Sequence, residues 1–219
     1  MTRLFINTPL SLNQTILLSK EHKHYLEKVL RIKASSILVF NNKDGEFLGI
    51  YQQGQLVIKE QTRPFLSPPQ KALAFGIIKT HRLSWLIEKS CELGITELFP
   101  LVTQHVQFES FKKDRYEKIT IEAAEQCGRI DLPIIHTPLK IKQFIENLPK
   151  NYEWHFGSLQ TSNNLETSRN VPHGFIIGPE GGFSKNEEEW LNQSKAQPFS
   201  MGKLILRTET AALWCLSQK

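Results

Sequence analysis

The sequence predicts an α/β protein in two parts, a small β-rich segment followed by a larger domain with a parallel sheet flanked by helices. Three observations carry that prediction. Short apolar runs separated by Gly and Asn turns fill the first third, apolar runs alternate with helical patterns afterwards, and a proline-rich stretch lies between.

In the first part, Ile37-Leu38-Val39-Phe40 is closed by the turn signal Asn41-Asn42-Lys43-Asp44-Gly45. Phe47 to Tyr51 is closed by Gln52-Gln53-Gly54, and Leu56-Val57-Ile58 follows, so a meander in a small barrel is expected. Ahead of these, His24 to Arg31 reads as a short helix with Leu26, Val29 and Leu30 facing inward, and Arg31 and Lys33 on its polar side. Arg63 to Gln70 (RPFLSPPQ) carries three prolines and no helical period, which reads as a semi-rigid linker. The expected domains are therefore 1–68 and 69–219.

Beyond the linker, Ala72 to Ile78 reads as a strand and Arg82 to Leu93 as a helix, with Leu83, Leu86, Ile87 and Ser90 at helical spacing and Gly94 as its stop. Ile95 to Val102 is the next strand. Asp114 with Glu117 opens a helix that Gly128 ends, and Thr137-Pro138 opens a short one ended by Pro149. Gly174 to Ile177 is a strand, Ser184 to Glu187 caps the next helix, and Thr210 to Leu216 forms the last. This alternation argues for parallel strands joined by crossover helices.

The bulk numbers exclude several classes. Hydrophobic residues make up 40% and charged residues 22%, as in ordinary globular chains. No apolar run reaches the ~18 residues a membrane helix needs, and the N-terminus lacks the pattern of a secretory signal. Cys91, Cys127 and Cys215 are odd in number, widely spaced and free of any CxxC pair. They suggest small buried residues in a reducing cytoplasm and no metal site. The net charge is +5, and residues 1–70 hold 9 Lys+Arg against 5 Asp+Glu, or +4, which favours phosphate contact by the first part.

Three segments hold the chemistry. Phe175 to Ser184 runs from an apolar strand through a loop with three glycines into a capped helix; glycine there lets a backbone approach a ligand closely. It fits neither GxxxxGK[ST] nor GxGxxG, and a tight strand-to-helix turn explains it equally well. Met201 to Ala212 is a second glycine-bearing loop in which Arg207, Thr208, Glu209 and Thr210 place a cation, an anion and two hydroxyls directly before a helix. One cap would suffice there, and arginine is disfavoured at the positive end of a helix. Glu122 to Arg129 sets a small-residue face of Ala123, Ala124 and Cys127 beside polar Glu122, Gln126 and Arg129.

Together, and in this order, these stretches resemble the ribosomal RNA small-subunit methyltransferase E family, within the SPOUT superfamily. The matching segments are HYLEKVLR, WLIEKSCELGITELFPLVTQH, IEAAEQCGR, IIGPEGGFS and LILRTETAA, spread over nearly the whole chain. The resemblance implies a PUA-like β-barrel that helps to dock RNA, and a SPOUT α/β domain whose C-terminal part threads into a trefoil knot. It further implies a homodimer that transfers a methyl group from S-adenosylmethionine to N3 of a uridine in 16S ribosomal RNA of the small subunit. One departure is local: Lys79-Thr80-His81-Arg82 stands where the family usually has Lys-Gly-Asp-Arg. Only the resemblance calls for a knot, since threaded chains are otherwise rare.

That reading assigns roles. Methyl transfer from a sulfonium depends on positioning and electrostatics, and the N3 proton of uridine has to leave. Arg207 is expected to hold the negative charge on the uracil oxygens, Glu209 to act as base or to orient Arg207, and Arg129 to clamp RNA. The cofactor is expected along Ile177, Gly178, Pro179, Glu180, Gly181 and Gly182 and along Met201, Gly202, Leu206, Thr208, Thr210 and Ala211. RNA contacts fall to Arg3, Arg31, Lys33, Lys79 and Arg82. Other readings stay open: a different ribosomal or transfer RNA nucleotide, a non-catalytic ribosome assembly factor, or a nucleotide phosphate held by the glycine loops.

Overall fold

The computed structural model describes residues 1–106, 110–168 and 171–218. The chain divides into two compact units, Met1–Ser67 with Ala124–Leu132, and Pro68–Ala123 with Pro133–Lys219. The return of 124–132 to the first unit carries no signal in composition or periodicity.

The first unit is a five-stranded sheet in the order β1-β3-β4-β5-β2. Here β1 is Arg3–Phe5, β2 Thr15–Leu17, β3 Ala34–Asn41, β4 Gly45–Gln52 and β5 Gln55–Arg63. The expected meander is β3 to β5, all antiparallel, while β1 joins β3 in parallel. Alternation sets the faces, with Ile37 and Val39 fully buried alongside Leu56 and Ile58. The β3–β4 turn forms because the Asn41 side-chain oxygen accepts from the N–H groups of Lys43 (2.9 Å) and Asp44 (2.7 Å). Gly45 then takes φ +96°, with Arg63 O 2.3 Å from where a Cβ would stand.

The helix expected over 24–31 is different in kind. Ser19 caps α1 (Lys20–His24), and a π-helical turn continues over Tyr25–Val29. The wider turn breaks the 3.6-residue period on which the inward face was drawn. Leu26 is buried as expected, but Val29 is 59% and Leu30 38% exposed.

The second unit is an all-parallel sheet in the order β12-β10-β11-β6-β7-β8, with β9 also paired to β7. Its strands are β6 Lys71–Gly76, β7 Glu97–Val102, β8 Ile134–Ile135, β9 Leu139–Lys140, β10 Glu153–Gly157, β11 His173–Ile177 and β12 Gln197–Phe199. Its helices are α2 Thr80–Glu92, α3 Lys113–Cys127 as far as Ala123, α4 Ile141–Glu146, α5 Lys185–Gln193 and α6 Thr208–Ser217. Successive strand residues feed two cores. Leu73 and Phe75 pack with Leu83, Leu86 and Ile87 of α2 and Ala211, Ala212 and Cys215 of α6. Ala72 and Ala74 pack with Ile141 and Phe144 of α4 and Leu191 of α5. Helices therefore cover both faces, as such a sheet requires.

Several expectations shift. The helix placed after Thr137-Pro138 starts only at Ile141, because Leu139 and Lys140 pair with Leu101 and Val102. The last helix begins at Thr208, two residues early. The strands β10 and β12 were not expected; β10 mixes polar and apolar residues, and its His155 is buried. Of the cysteines, Cys91 and Cys215 are buried as expected, but Cys127 is exposed and leaves the small-residue face of α3.

The order of strands positions the site. From β6 the chain steps outward to β7 and β8, crosses to β10, returns through β11 beside β6, and leaves again to β12. Such a reversal opens a crevice beyond the carboxyl ends of the central strands. Both glycine-bearing loops begin at carboxyl strand ends, one after the central strand β11 and one after the edge strand β12.

Candidate active site

The first loop, Gly178 to Phe183, leaves β11 and enters α5 through a capping box. The Ser184 hydroxyl accepts from Glu187 N, and Glu187 Oε2 accepts from Ser184 N at 2.8 Å. The other oxygen of this buried carboxylate accepts from Gln104 N at 2.7 Å, tying the loop after β7 to the same helix start. Pro179 is buried against the end of β6, where a Cβ on Gly76 would lie 2.6 Å from the Pro179 nitrogen. His105 Nδ1 donates to the carbonyls of Gly181 (3.0 Å) and Gly182 (3.2 Å), since a carbonyl can only accept.

The second loop, Ser200 to Arg207, leaves β12. Met201 is seated on Gly157 at the end of β10, where a Cβ would meet its Cε at 2.8 Å and Ile177 Cδ1 at 3.5 Å. Gly182 (φ +70°) and Gly202 (φ +98°) hold left-handed backbone, and among the described residues nothing lies within 4 Å of a Cβ built there. The two loops are clasped together: Thr208 Oγ1 donates to Gly178 O at 2.9 Å. Arg207 occupies the N-cap of α6 without capping it through its side chain, so the first-turn N–H groups are left for another partner.

Charge is arranged around these loops. Arg82 Nη1 pairs with Glu180 Oε1 at 2.6 Å, and Arg82 Nε lies 3.8 Å from Glu209 Oε1. One guanidinium of α2 thus bridges a carboxylate from each loop region. Glu209 is 8% exposed, and its Oε2 finds no hydrogen-bond partner among the described residues. Arg207 is exposed and forms no ion pair among them. Glycine backbone, half-buried Met201 and Leu206 and an exposed Arg207 guanidinium, all carried on or beside the two loops, suit a ligand with an apolar body and polar edges.

Comparison with known proteins then decides the family. The RNA methyltransferase domain model matches residues 66–218. The chain is 37% identical to the ribosomal RNA small subunit methyltransferase E of Rickettsia conorii, over 99% of this chain and 93% of that one. The chain belongs to the ribosomal RNA small subunit methyltransferase E family. The family's protein from Buchnera aphidicola (Schizaphis graminum) is 35% identical over 96% of this chain and 92% of its own length. Among solved structures, the family's protein from Neisseria gonorrhoeae, bound to S-adenosyl methionine, superposes with TM-score 0.90 at 27% identity, covering 99% of this chain and 95% of that one. A Legionella pneumophila methyltransferase solved with bound SAM gives 0.89 at 28% identity over 99% and 95%.

In this member of the methyltransferase E family, the residues singled out from sequence separate into groups. Ile177 ends β11, and Gly178 to Gly182, Met201, Gly202, Leu206, Thr208, Thr210 and Ala211 lie on the two loops and the first turn of α6, together with Arg207 and Glu209. Glu209 does not pair with Arg207; its partner is Arg82. Arg82, expected on RNA, therefore has carboxylates on two sides. Arg3, also expected on RNA, is a correction. Its five N–H donors go to Glu46 and to the carbonyls of Ala124, Glu125 and Arg129, and its side chain is 9% exposed, so none remains for phosphate. Arg129 belongs to the first unit and pairs with Asp131, its side chain 11% exposed. Arg31, Lys33 and Lys79 are exposed.

Sequence reasoning missed the supports of the site. Gly76 and Gly157 hold the loops from the ends of β6 and β10, His105 from the turn after β7, and Glu187 from α5. Only Glu187 had a local sign, its spacing from Ser184.

Proposed function

We propose that this chain transfers the methyl group of S-adenosylmethionine to N3 of a uridine in 16S ribosomal RNA. The observation that carries the reading is the pair of glycine loops clasped by Thr208 and Gly178, with an exposed, unpaired Arg207 beside the clasp. When bound, the cofactor supplies an electrophilic methyl group on a sulfonium. The backbone of Ile177, Gly178, Glu180, Gly181 and Gly182 and that of Met201, Gly202 and Leu206 would hold it, with the Met201 and Leu206 side chains against its adenine. Pro179, Thr208, Thr210 and Ala211 shape the pocket wall.

Uridine N3 carries a proton and offers no free lone pair until that proton leaves. The Glu209 carboxylate, held by Arg82 through one oxygen, is assigned as its acceptor. Arg207 is assigned to the negative charge that then spreads over the uracil oxygens, a fixed cation being most effective where water is excluded. The base has to be reached in single-stranded RNA or flipped out of its stack.

The same reading makes the N-terminal part, about residues 1–68, a PUA-like barrel that docks RNA, supported by its mostly antiparallel five-stranded sheet and by exposed Arg31 and Lys33. Lys79 adds a phosphate contact, and Arg129 remains assigned to an RNA clamp once released from Asp131. Residues 69–219 form the SPOUT domain with a C-terminal trefoil knot, supported by the reversal in strand order and the likeness to the Neisseria gonorrhoeae structure. Activity as a homodimer is supported by Leu204 and Ile205, 77% and 80% exposed on the second loop.

The test is mass spectrometry of nucleosides from small-subunit ribosomal RNA, with and without this protein. Loss of 3-methyluridine, restored by the native chain and not by Arg207→Ala, is the expected result. Unchanged 3-methyluridine would overturn the substrate, and full activity of Arg207→Ala would overturn its role.

A further inference from the structure

At the amino ends of β10 and β11, opposite to the glycine loops, three side chains converge. Glu153 pairs in register with His173 across the two strands, and His155 follows two residues after Glu153. Side chains two apart on a strand share a face, so all three point to the side covered by α2 and α6. Their ligand atoms lie within 4.8 Å of one another. His155 Nε2 is 3.3 Å from His173 Nδ1, and Glu153 Oε2 is 3.8 Å from the same Nδ1.

We propose that Glu153, His155 and His173 form a binding site for one first-row divalent ion of the zinc kind. The distances fit that use. A tetrahedral ion with bonds of about 2.0–2.1 Å sets its ligand atoms about 3.3 Å apart, the separation of the two imidazole nitrogens. Glu153, its side chain 46% exposed, already lies 3.8 Å from His173 Nδ1 and within 4.8 Å of the His155 ligand atom, and is free to turn towards both. The ring of His173 is already oriented: its Nε2–H donates to Ser168 O at 2.8 Å. A neutral ring with that proton presents its Nδ1 lone pair to the other two groups, the outer hydrogen bond that metal-binding histidines usually have. Two imidazoles and one carboxylate match the preferences of zinc and its neighbours. The absence of a CxxC pair pointed away from zinc, but this site draws on other residue types that only strand pairing brings together. Three protein ligands leave a fourth position for water on the open, Glu153 side.

The ion would clip the starts of two central strands and, through Ser168, the connection between them. That connection also touches the second glycine loop, where Ser200 N donates to Asn163 O at 2.8 Å. The role is structural and separate from methyl transfer.

The experiment uses untagged full-length chain, stripped with chelator, dialysed and titrated with Co²⁺, then with Zn²⁺. Expected are a visible absorption band of tetrahedral cobalt that saturates at one ion per chain and is displaced by Zn²⁺. The unfolding midpoint should also rise by roughly 5–10 °C at a hundredfold excess of Zn²⁺ over its dissociation constant. Because truncation of buried His155 could prevent folding, the variants are His173→Gln and the exposed Glu153→Gln. Each should lose the band and the thermal shift while keeping its circular dichroism and its binding of S-adenosylmethionine. Failure of the native chain to saturate at one equivalent, or full binding by both variants, overturns the site.

Discussion

The hydroxyl of Thr208 reaches across from the first turn of α6 to the carbonyl of Gly178, 30 residues earlier, and joins two loops that leave different strands. A part-buried hydrogen bond of this kind is worth about 1 kcal/mol net. Thr208→Val keeps the shape and removes the donor. Calorimetric titration should show S-adenosylmethionine binding weakened about tenfold, with the unfolding midpoint changed by only a few degrees.

Arg82 stands between Glu180 and Glu209. Its side chain is 28% exposed and that of Glu180 38%, so solvent screening leaves the pair little value for stability. Its work is to place two carboxylates. Arg82→Ala should lower kcat about tenfold, equivalent to about 1.4 kcal/mol, with little effect on melting. Arg82→Lys should recover part of the rate. An unchanged kcat in the alanine variant would remove Arg82 from the site.

Glu46 is 3% exposed and takes hydrogen bonds from Arg3, Arg63 and Thr62. Burial pushes its carboxyl up, but the bonds from Arg63, Arg3 and Thr62 together outweigh burial and hold it below the ordinary range. The stabilisation is therefore whole above the unfolded value of about 4.3 and fades as the pH falls through the lower folded value. Glu46→Gln should cost about 3 kcal/mol at neutral pH by leaving Arg3 buried without its counter-charge. The difference between variant and native chain should shrink on acidification below about pH 4. Denaturant melts across pH 3–7 measure both.

Gly76 ends β6 directly beneath Pro179. A methyl group there would stand 2.6 Å from the proline nitrogen and Cδ, which neither strand nor ring can yield. Gly76→Ala should cost about 1–3 kcal/mol and displace the first loop, so cofactor binding should fall further than stability does. Binding at native strength in a folded variant would show that the loop tolerates the shift.

Much of this protein was legible in its residues. The alternation after the linker marked a parallel sheet, Leu83, Leu86, Ile87 and Ser90 named the buried face of α2, and Ser184 with Glu187 marked the start of α5. These are local signals, carried by periods of 2 and 3.6 residues and by caps spanning one turn. The two glycine loops were legible for the same reason, since glycine before a capped helix is a local pattern. Where the local rule changed, the reading failed. The π-helical turn at Tyr25–Val29 turned Val29 and Leu30 outward, and the pairing of Leu139 and Lys140 with β7 delayed α4.

What the sequence determined by itself is the class of fold, the order of its elements and the two loops that hold the candidate site. What only the tertiary structure decided is which side chains those elements share. Arg3 was expected on RNA and is spent on Glu46 and three carbonyls more than a hundred residues away in the chain. Glu209 faces Arg82 instead of Arg207, and Glu153, His155 and His173 meet only because β10 and β11 pair in one register. The reason is physical: propensity and amphipathic period act within a few residues, whereas ion pairs, ligand sets and close backbone approaches are fixed by the packing of segments distant in sequence.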